Sequence, residues 1–328
     1  MLSERIKVFE RAVGRYSLLS ARWIISHLPE GSFKMTSRIL TVLGWPILFK
    51  KRRLTIENLT NAFGKEKSAK EIDQISWDCF QNFARGMVEL IYFADRPDEI
   101  RKKVRFEGQE HLDAAFKKGS GVILVSAHFG NFILMYLRLI VEGYKTNIIM
   151  RRTRDQKFEE YITEFRDSHG MQTIYDLPAR KCVQQSLKAL RNNEILFILL
   201  DQNYGSDGRI FVDFFGRPAA TAAGPIVFSN RTSAPILPIF IMRDGGEQHK
   251  IVIEPPVQLE TGADEMDSTV KSVAKITKII ERYARELPYE WGGWMHKRWK
   301  SQAAEGQDIV DIIREESSLK DSDVSQGA

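Results

Sequence analysis

Cysteine is scarce: Cys79 and Cys182 are the only two in 328 residues, and neither sits in a CxxC or beside a histidine cluster. That spacing excludes a disulfide framework and a structural zinc site, so both are read as small buried hydrophobes in a reducing compartment. No apolar run reaches the ~20 residues that a spanning helix needs. The longest, residues 16–28 and 39–49, are interrupted or ended by Arg22, His27, Pro29 and Pro46 and suit a helix lying in an interface. The N-terminal stretch MLSERIKVFERAVGRYSLLS has neither the apolar core nor the small-residue cleavage site of a secretory signal. There is also no GxxxxGK[ST], GxGxxG, GxSxG or HExxH. Their absence argues against nucleotide cofactors, serine-hydrolase chemistry and zinc-peptidase chemistry, and no cofactor or metal is expected.

What is present is charge and apolar content. The formal net charge is +5, and 43% of residues are hydrophobic, enough for a sizeable core. Residues 301–328 hold seven acids against Arg314 and Lys320, so the body over residues 1–300 carries +10. A basic body is drawn to anionic surfaces, whether lipid headgroups, an acidic carrier protein or nucleic acid. Nucleic acid is the weakest of these, because the arginines are not interleaved with aromatics on a recognition module. The run Lys50, Lys51, Arg52 and Arg53 after the second apolar segment would attract anionic headgroups; the bland alternative is a helix docked on the core with a solvated cap.

Residues 1–100 read as helical, with a near 3.6-residue apolar period over 68–93. Beyond Asp98 short β-rich runs alternate with helical stretches, which is the mark of βαβ units. The expected fold is α/β: a mainly parallel central sheet flanked by helices, with a helical N-terminal membrane-associating layer. The expected division is 1–100 helical and interfacial, 101–300 α/β, and 301–328 an acidic tail. APILPIFIMRD and HKIVIEPPVQL flank Gly245 and Gly246 and predict a hairpin, and a final helix is expected over about 268–287.

His128 follows the buried run GVILVSA and precedes a helix expected from about Phe129. Ligands of open α/β sheets bind beyond the carboxyl ends of the strands, so this position suits a general base. The helix end should disfavour imidazolium, while Gly130 and Asn131 would leave room for substrate and stabilise an oxyanion. A histidine merely bracing the turn is the competing reading. His27, His111, His169 and His249 are read as structural; His296, in WGGWMHKRWK, is read either as a lipid contact or as part of a tryptophan-anchored cap. Asp201 ends another buried run and could orient an imidazole or cap its own turn. GRPAATAAGP places Gly216, Arg217, Thr221 and Gly224 around an expected helix start, a possible anion cradle. Arg151 and Arg152 leave the same sheet edge and suit a phosphate clamp or a solvated loop.

Six blocks in order, RRLTIENLTNAF, VRFEGQEHLDAAFKKGSGVILVSAHFGN, IIMRR, LLDQNYGSDGRIFVDFFGRPAATAAGP, SAPILPIFIMRDG and ELPYEWGGWMHKRWK, resemble the late lipid A acyltransferases of bacteria over roughly residues 15–300. The resemblance implies an inner-membrane enzyme on the cytoplasmic face that moves a fatty acyl chain from acyl carrier protein to a hydroxyl of a lipid A precursor. It also implies a His-x4-acidic pair in which the histidine deprotonates the acceptor. His128 matches the histidine, but the acidic position is Ile133. A replacement carboxylate is therefore expected, Asp201 first and Glu89 second. Another membrane glycolipid as acceptor, or a catalytically silent lipid-binding homologue, are the rival readings.

Overall fold

The computed structural model describes residues 20, 22–153, 155–205 and 209–301. The acidic tail after residue 301 and the start of the first apolar segment lie outside these residues.

Ahead of the sheet stand α1 (Phe33–Ile47), α2 (Phe49–Phe63), α3 (Ala69–Phe93) and α4 (Pro97–Lys103). The longest, α3, begins on a capping box. Ser68 accepts from the Glu71 amide, and the Glu71 carboxylate accepts from the Ser68 amide at 2.8 Å. The second apolar segment proves to straddle two helices, since α1 ends at Ile47, with Pro46 inside its last turn, and α2 starts at Phe49.

The chain then alternates: β1 (Val104–Glu107), α5 (Gln109–Phe116), β2 (Val122–Ser126), α6 (Phe132–Val141), β3 (Thr146–Met150), α7 (Gln156–Ser168), β4 (Gln172–Tyr175), α8 (Ala179–Arg191) and β5 (Ile195–Leu199). A separate hairpin of β6 (Arg209–Phe214) and β7 (Arg217–Ala222) follows, then α9 (Gly224–Thr232), β8 (Ile236–Arg243), β9 (His249–Ile253) and α10 (Glu265–Glu286). Seven strands form one sheet in the order β1-β9-β8-β2-β5-β3-β4, parallel except where β8 meets β9. The fold is thus α/β with a mostly parallel sheet, and the expected hairpin is the β8–β9 pair.

Alternate residues of β2 feed opposite faces: Ile123 and Val125 join one core, Val122 and Leu124 the other. Every residue of β2 is buried, as a central strand covered on both sides requires.

Two expectations change. Most of GRPAATAAGP is strand β7, and helix α9 starts only at its end, at Gly224; β7 is joined to β6 by Phe215 and Gly216, both at positive φ. That is the geometry of a two-residue hairpin turn, and a run rich in alanine hides its strand character. The helix after His128 starts at Phe132, because Phe129 bridges to Trp291 and Gly130 turns the chain at φ +53°.

Candidate functional site

The sheet register explains the site. Ser126 of β2 pairs with Leu199 of β5, and two residues beyond each strand end stand His128 and Asp201. Because the strands are parallel, both residues leave the same edge and meet. His128 Nδ1 lies 2.8 Å from Asp201 Oδ1, and the His128 amide donates to Asp201 Oδ2 at 3.0 Å. Trp291 Nε1 donates to the same Oδ2 at 2.7 Å.

Asp201 is buried, which would raise its pKa, but the charge and donors of His128 and the indole of Trp291 hold it down at about 2. His128 shows the reciprocal effect. Burial works against its imidazolium, yet the neighbouring Asp201 outweighs burial and holds the pKa above its ordinary value. The expectation that a helix end depresses it is therefore corrected: the carboxylate is in contact and the helix begins four residues later. An anionic Asp201 assigns the ring proton to Nδ1 and leaves Nε2 as an acceptor, which takes the Gln202 amide at 3.1 Å.

His128 and Gln202 line a cavity of about 640 Å³. Its walls are apolar side chains from α3 (Met87, Leu90, Ile91), the start of α6 (Phe132, Ile133), β3 (Ile148, Met150) and α7 (Phe158, Tyr161, Ile162, Phe165). The α7 residues recur three and four apart, from Phe158 to Tyr161 and Ile162 and on to Phe165, so one helical face forms a continuous wall.

Other expected site residues are placed differently. Glu89 does not reach His128. It is fully buried on α3, where it takes both Nη atoms of Arg243, Arg85 Nε at 3.1 Å and His249 Nε2 at 3.1 Å. A carboxylate away from water needs such partners, and Arg243 and His249 of the β8–β9 hairpin claim it. The Gly130 amide donates to Glu290 O at 2.8 Å, and a Cβ there would lie 2.2 Å from Ile241 O. Its lack of a side chain thus admits the protein's own backbone, not a substrate. Asn131 is the N-cap of α6, accepting from Leu134 N and donating to Gly86 O at 2.9 Å.

Thr221 is also engaged: its hydroxyl accepts from Arg298 Nη2 at 2.7 Å and donates to Ala219 O. Arg151 lines the cavity, largely exposed and paired with Asp176 at 2.8 Å. Arg152 lies over the Tyr175 ring and faces a separate outer groove with Glu159 and Glu160. Arg217 is exposed at the β6–β7 turn, 5.6 Å from the Trp299 ring centroid.

Three residues near His128, Gln202, Arg298 and Trp291, were not singled out in the sequence, and His296, read there as a lipid contact or part of a cap, also stands beside it. Gln202 Nε2 stands 3.1 Å from His128 Nε2. Arg298, almost wholly buried, donates to Gln202 O and Ala220 O and so ties the Asp201 loop to β7. Trp291 anchors Asp201, and the His296 ring lies 5.6 Å from that of His128. The signal for the last three was the WGGWMHKRWK cluster. Trp291 and Trp294 are fully buried, so the cluster caps the core.

The family model for bacterial lipid A biosynthesis acyltransferases matches residues 9–301. The lipid A biosynthesis lauroyltransferase of Escherichia coli (strain K12) is 24% identical over 286 residues, covering 85% of this chain and 89% of the relative. The palmitoleoyltransferase of the same organism is 24% identical over 292 residues, covering 87% and 90%. A phosphatidylinositol mannoside acyltransferase of Mycobacterium tuberculosis (strain ATCC 25618 / H37Rv) is 24% identical over 204 residues, 61% of each chain. Among solved structures, the 1-acyl-sn-glycerophosphate acyltransferase PlsC of Thermotoga maritima aligns at a TM-score of 0.34 and 15% identity, covering 73% of this chain and 97% of that one.

Proposed function

Because the chain belongs to the bacterial lipid A biosynthesis acyltransferase family and is an acyl-transferring enzyme, we propose that it moves a fatty acyl group from acyl carrier protein to a hydroxyl of a lipid A precursor. One observation carries the reading: a His128–Asp201 pair, held at 2.8 Å, opens onto an apolar cavity. The cavity volume lies in the range of ligand sites, and each methylene of an acyl chain buried there contributes about 0.8 kcal/mol. His128 Nε2 takes the proton of the acceptor hydroxyl, whose oxygen attacks the thioester carbon. Asp201 holds the tautomer that makes this possible and stabilises the imidazolium that forms. Neither cysteine takes part: Cys79 is buried, its thiol pushed well up by that burial. A carboxylate in reach of His128 also speaks against a silent homologue.

The acceptor is a membrane lipid, and α1 supports docking at an anionic membrane surface. Its polarity is inverted: Ser37 and Thr41 face the protein, while Met35, Ile39, Leu43 and Ile47 are 63%, 51%, 62% and 74% exposed. No helix among the described residues is long and apolar enough to cross a membrane. An apolar face turned outward, flanked by exposed Lys34, Arg38, Lys50 and Arg53, suits a helix lying in the interface. α1 packs on α3, whose other face lines the cavity, so the docking surface adjoins the acyl site. With this surface on the inner membrane's cytoplasmic face, Arg151 and Arg217 would meet acceptor phosphate.

A second acceptor class, a phosphatidylinositol mannoside type of glycolipid, is favoured by the mycobacterial match. The test supplies a labelled acyl carrier protein thioester to the full chain with either acceptor and follows the lipid product by mass spectrometry. Transfer to the lipid A precursor, lost in His128→Ala, supports the reading. Transfer to the mannoside alone, or a fully active His128→Ala, refutes it.

A further inference from the structure

Acyl transfer builds negative charge on the thioester carbonyl oxygen, and a site that accelerates it needs N–H donors for that charge. The nearby donors are mostly engaged already. Gly130 N donates to Glu290 O, Gly292 N to His128 O at 2.7 Å, Trp291 Nε1 to Asp201, and the Asn131 amide to Gly86 O. Arg298 is turned away, bonded to Gln202 O, Ala220 O and Thr221 Oγ1. The Gln202 amide sits on His128 Nε2, the place the acceptor hydroxyl must take.

One side chain stands apart. His296 is half-buried beside His128, and its ring nitrogens have no hydrogen-bond partner among the described residues. An imidazole that no side chain or backbone group of the described residues engages, set 5.6 Å from the ring of the reacting histidine, is available to a ligand there. Its backbone is firmly held. Asn58 Nδ2 donates to both Trp294 O and His296 O at 2.8 Å, and Lys51 Nζ to Met295 O at 3.0 Å.

We propose that His296 is a second catalytic residue, whose ring N–H donates to the acyl carbonyl oxygen while His128 takes the acceptor's proton. The inference rests on the acyl-transfer reading above. As the acceptor O–H breaks, its proton moves to His128 Nε2 and the oxygen pair forms the new C–O bond. The carbonyl π pair moves onto oxygen and is held by His296. Collapse restores the C=O bond, the C–S pair leaves with sulfur, and the imidazolium of His128 returns the proton to the thiolate. His296 is suited to the part because burial, the adjoining His128 and Lys51 push its pKa down to about 4, Asp201 opposing only weakly. It therefore stays neutral and does not compete for the transferred proton.

The experiment uses the purified full chain with His296→Ala and His296→Gln, measuring both hydrolysis of palmitoyl-CoA and transfer to a lipid A precursor. His296→Ala should lower kcat about 100-fold or more with KM nearly unchanged, the usual effect of losing one oxyanion donor. His296→Gln, which keeps an N–H, should recover to within about tenfold of the parent. A kcat for His296→Ala within about threefold of the parent would leave the charge to the free first-turn amides of α6 and overturn the proposal. A loss confined to KM, or one that Gln does not relieve, overturns it equally. Hydrolysis without transfer in the parent enzyme would sink the acceptor assignment alone, and the hydrolysis rates would then decide the role of His296.

Discussion

Asp201→Asn tests the site most directly, because the three donors around the carboxylate fix what an amide can do. Oδ2 accepts from His128 N and Trp291 Nε1, and Oδ1 from His128 Nδ1. If the amide oxygen takes the Oδ2 place, its NH2 faces Nδ1 and forces the ring proton onto Nε2, which can then no longer accept from a hydroxyl. If the amide is reversed, its NH2 confronts two N–H donors. Either way the base is lost, and the analogous loss in hydrolytic triads is about 10⁴ in rate, or roughly 5 kcal/mol of barrier. Native stability falls as well, because His128 and Trp291 hold the native carboxylate well below its ordinary value. That contribution is present above the unfolded carboxylate pKa and is lost as pH falls through the native one. His128 has the opposite sign. With its native pKa raised, its contribution is complete below the unfolded value and is lost as pH rises through the native one. In the parent enzyme kcat/KM should thus climb with pH through a His128 pKa above its ordinary value. In Asp201→Asn only burial remains, so the residual activity should show that limb at lower pH. Steady-state transfer from an acyl thioester across pH 5 to 9 reads both effects. A variant within tenfold of the parent, or one with an unmoved acid limb, would refute the assignment.

Glu89→Gln should leave kcat per folded molecule intact but cost about 3 kcal/mol or more by stranding Arg243 and His249, seen as a melting temperature lower by roughly 10 °C. Leu43→Asp with Ile47→Asp should keep the melting temperature, since both side chains face outward, and reduce retention on anionic liposomes about 100-fold in a sedimentation assay. Ile162→Trp should fill part of the cavity, raising KM for long acyl thioesters about tenfold while sparing short ones in a chain-length series.

The sheet was legible because its strands are continuous apolar runs, and the same property placed His128 and Asp201 at one edge before any contact was known. The register supplied what no run could: that the two stand at equal distances past paired residues. Glu89, Gly130, Asn131 and Thr221 were misread for a common physical reason. Each is a polar or flexible residue whose role depends on which buried donor or acceptor it satisfies, and those partners lie elsewhere in the chain at Arg243, Ile241, Gly86 and Arg298. Hairpin β6–β7 was hidden by alanine, and the orientation of α1 by its periodicity, which is the same whichever face turns inward.

Ile133 then has a physical explanation beyond being a missing acid. It lies in the first turn of α6 on the wall of the cavity, next to Phe132 and across from the apolar face of α7. A carboxylate at that point would have to stay ionised against an apolar wall, which is costly without nearby N–H groups. At position 201 the same charge meets a backbone amide, an imidazole and an indole, all carried by buried segments, and its pKa falls instead of rising. Moving the acid from helix to strand end therefore satisfies two demands together: His128 keeps a partner on Nδ1, and the cavity wall at Phe132 and Ile133 stays apolar for an acyl chain. The carboxylate that remains on the cavity wall, Asp176, is paired with Arg151. With the anion of Asp201 confined to the far side of the imidazole, negative charge arising in the cavity during transfer meets no uncompensated acid among the described residues of its wall, and the N–H donors on that side can act on it.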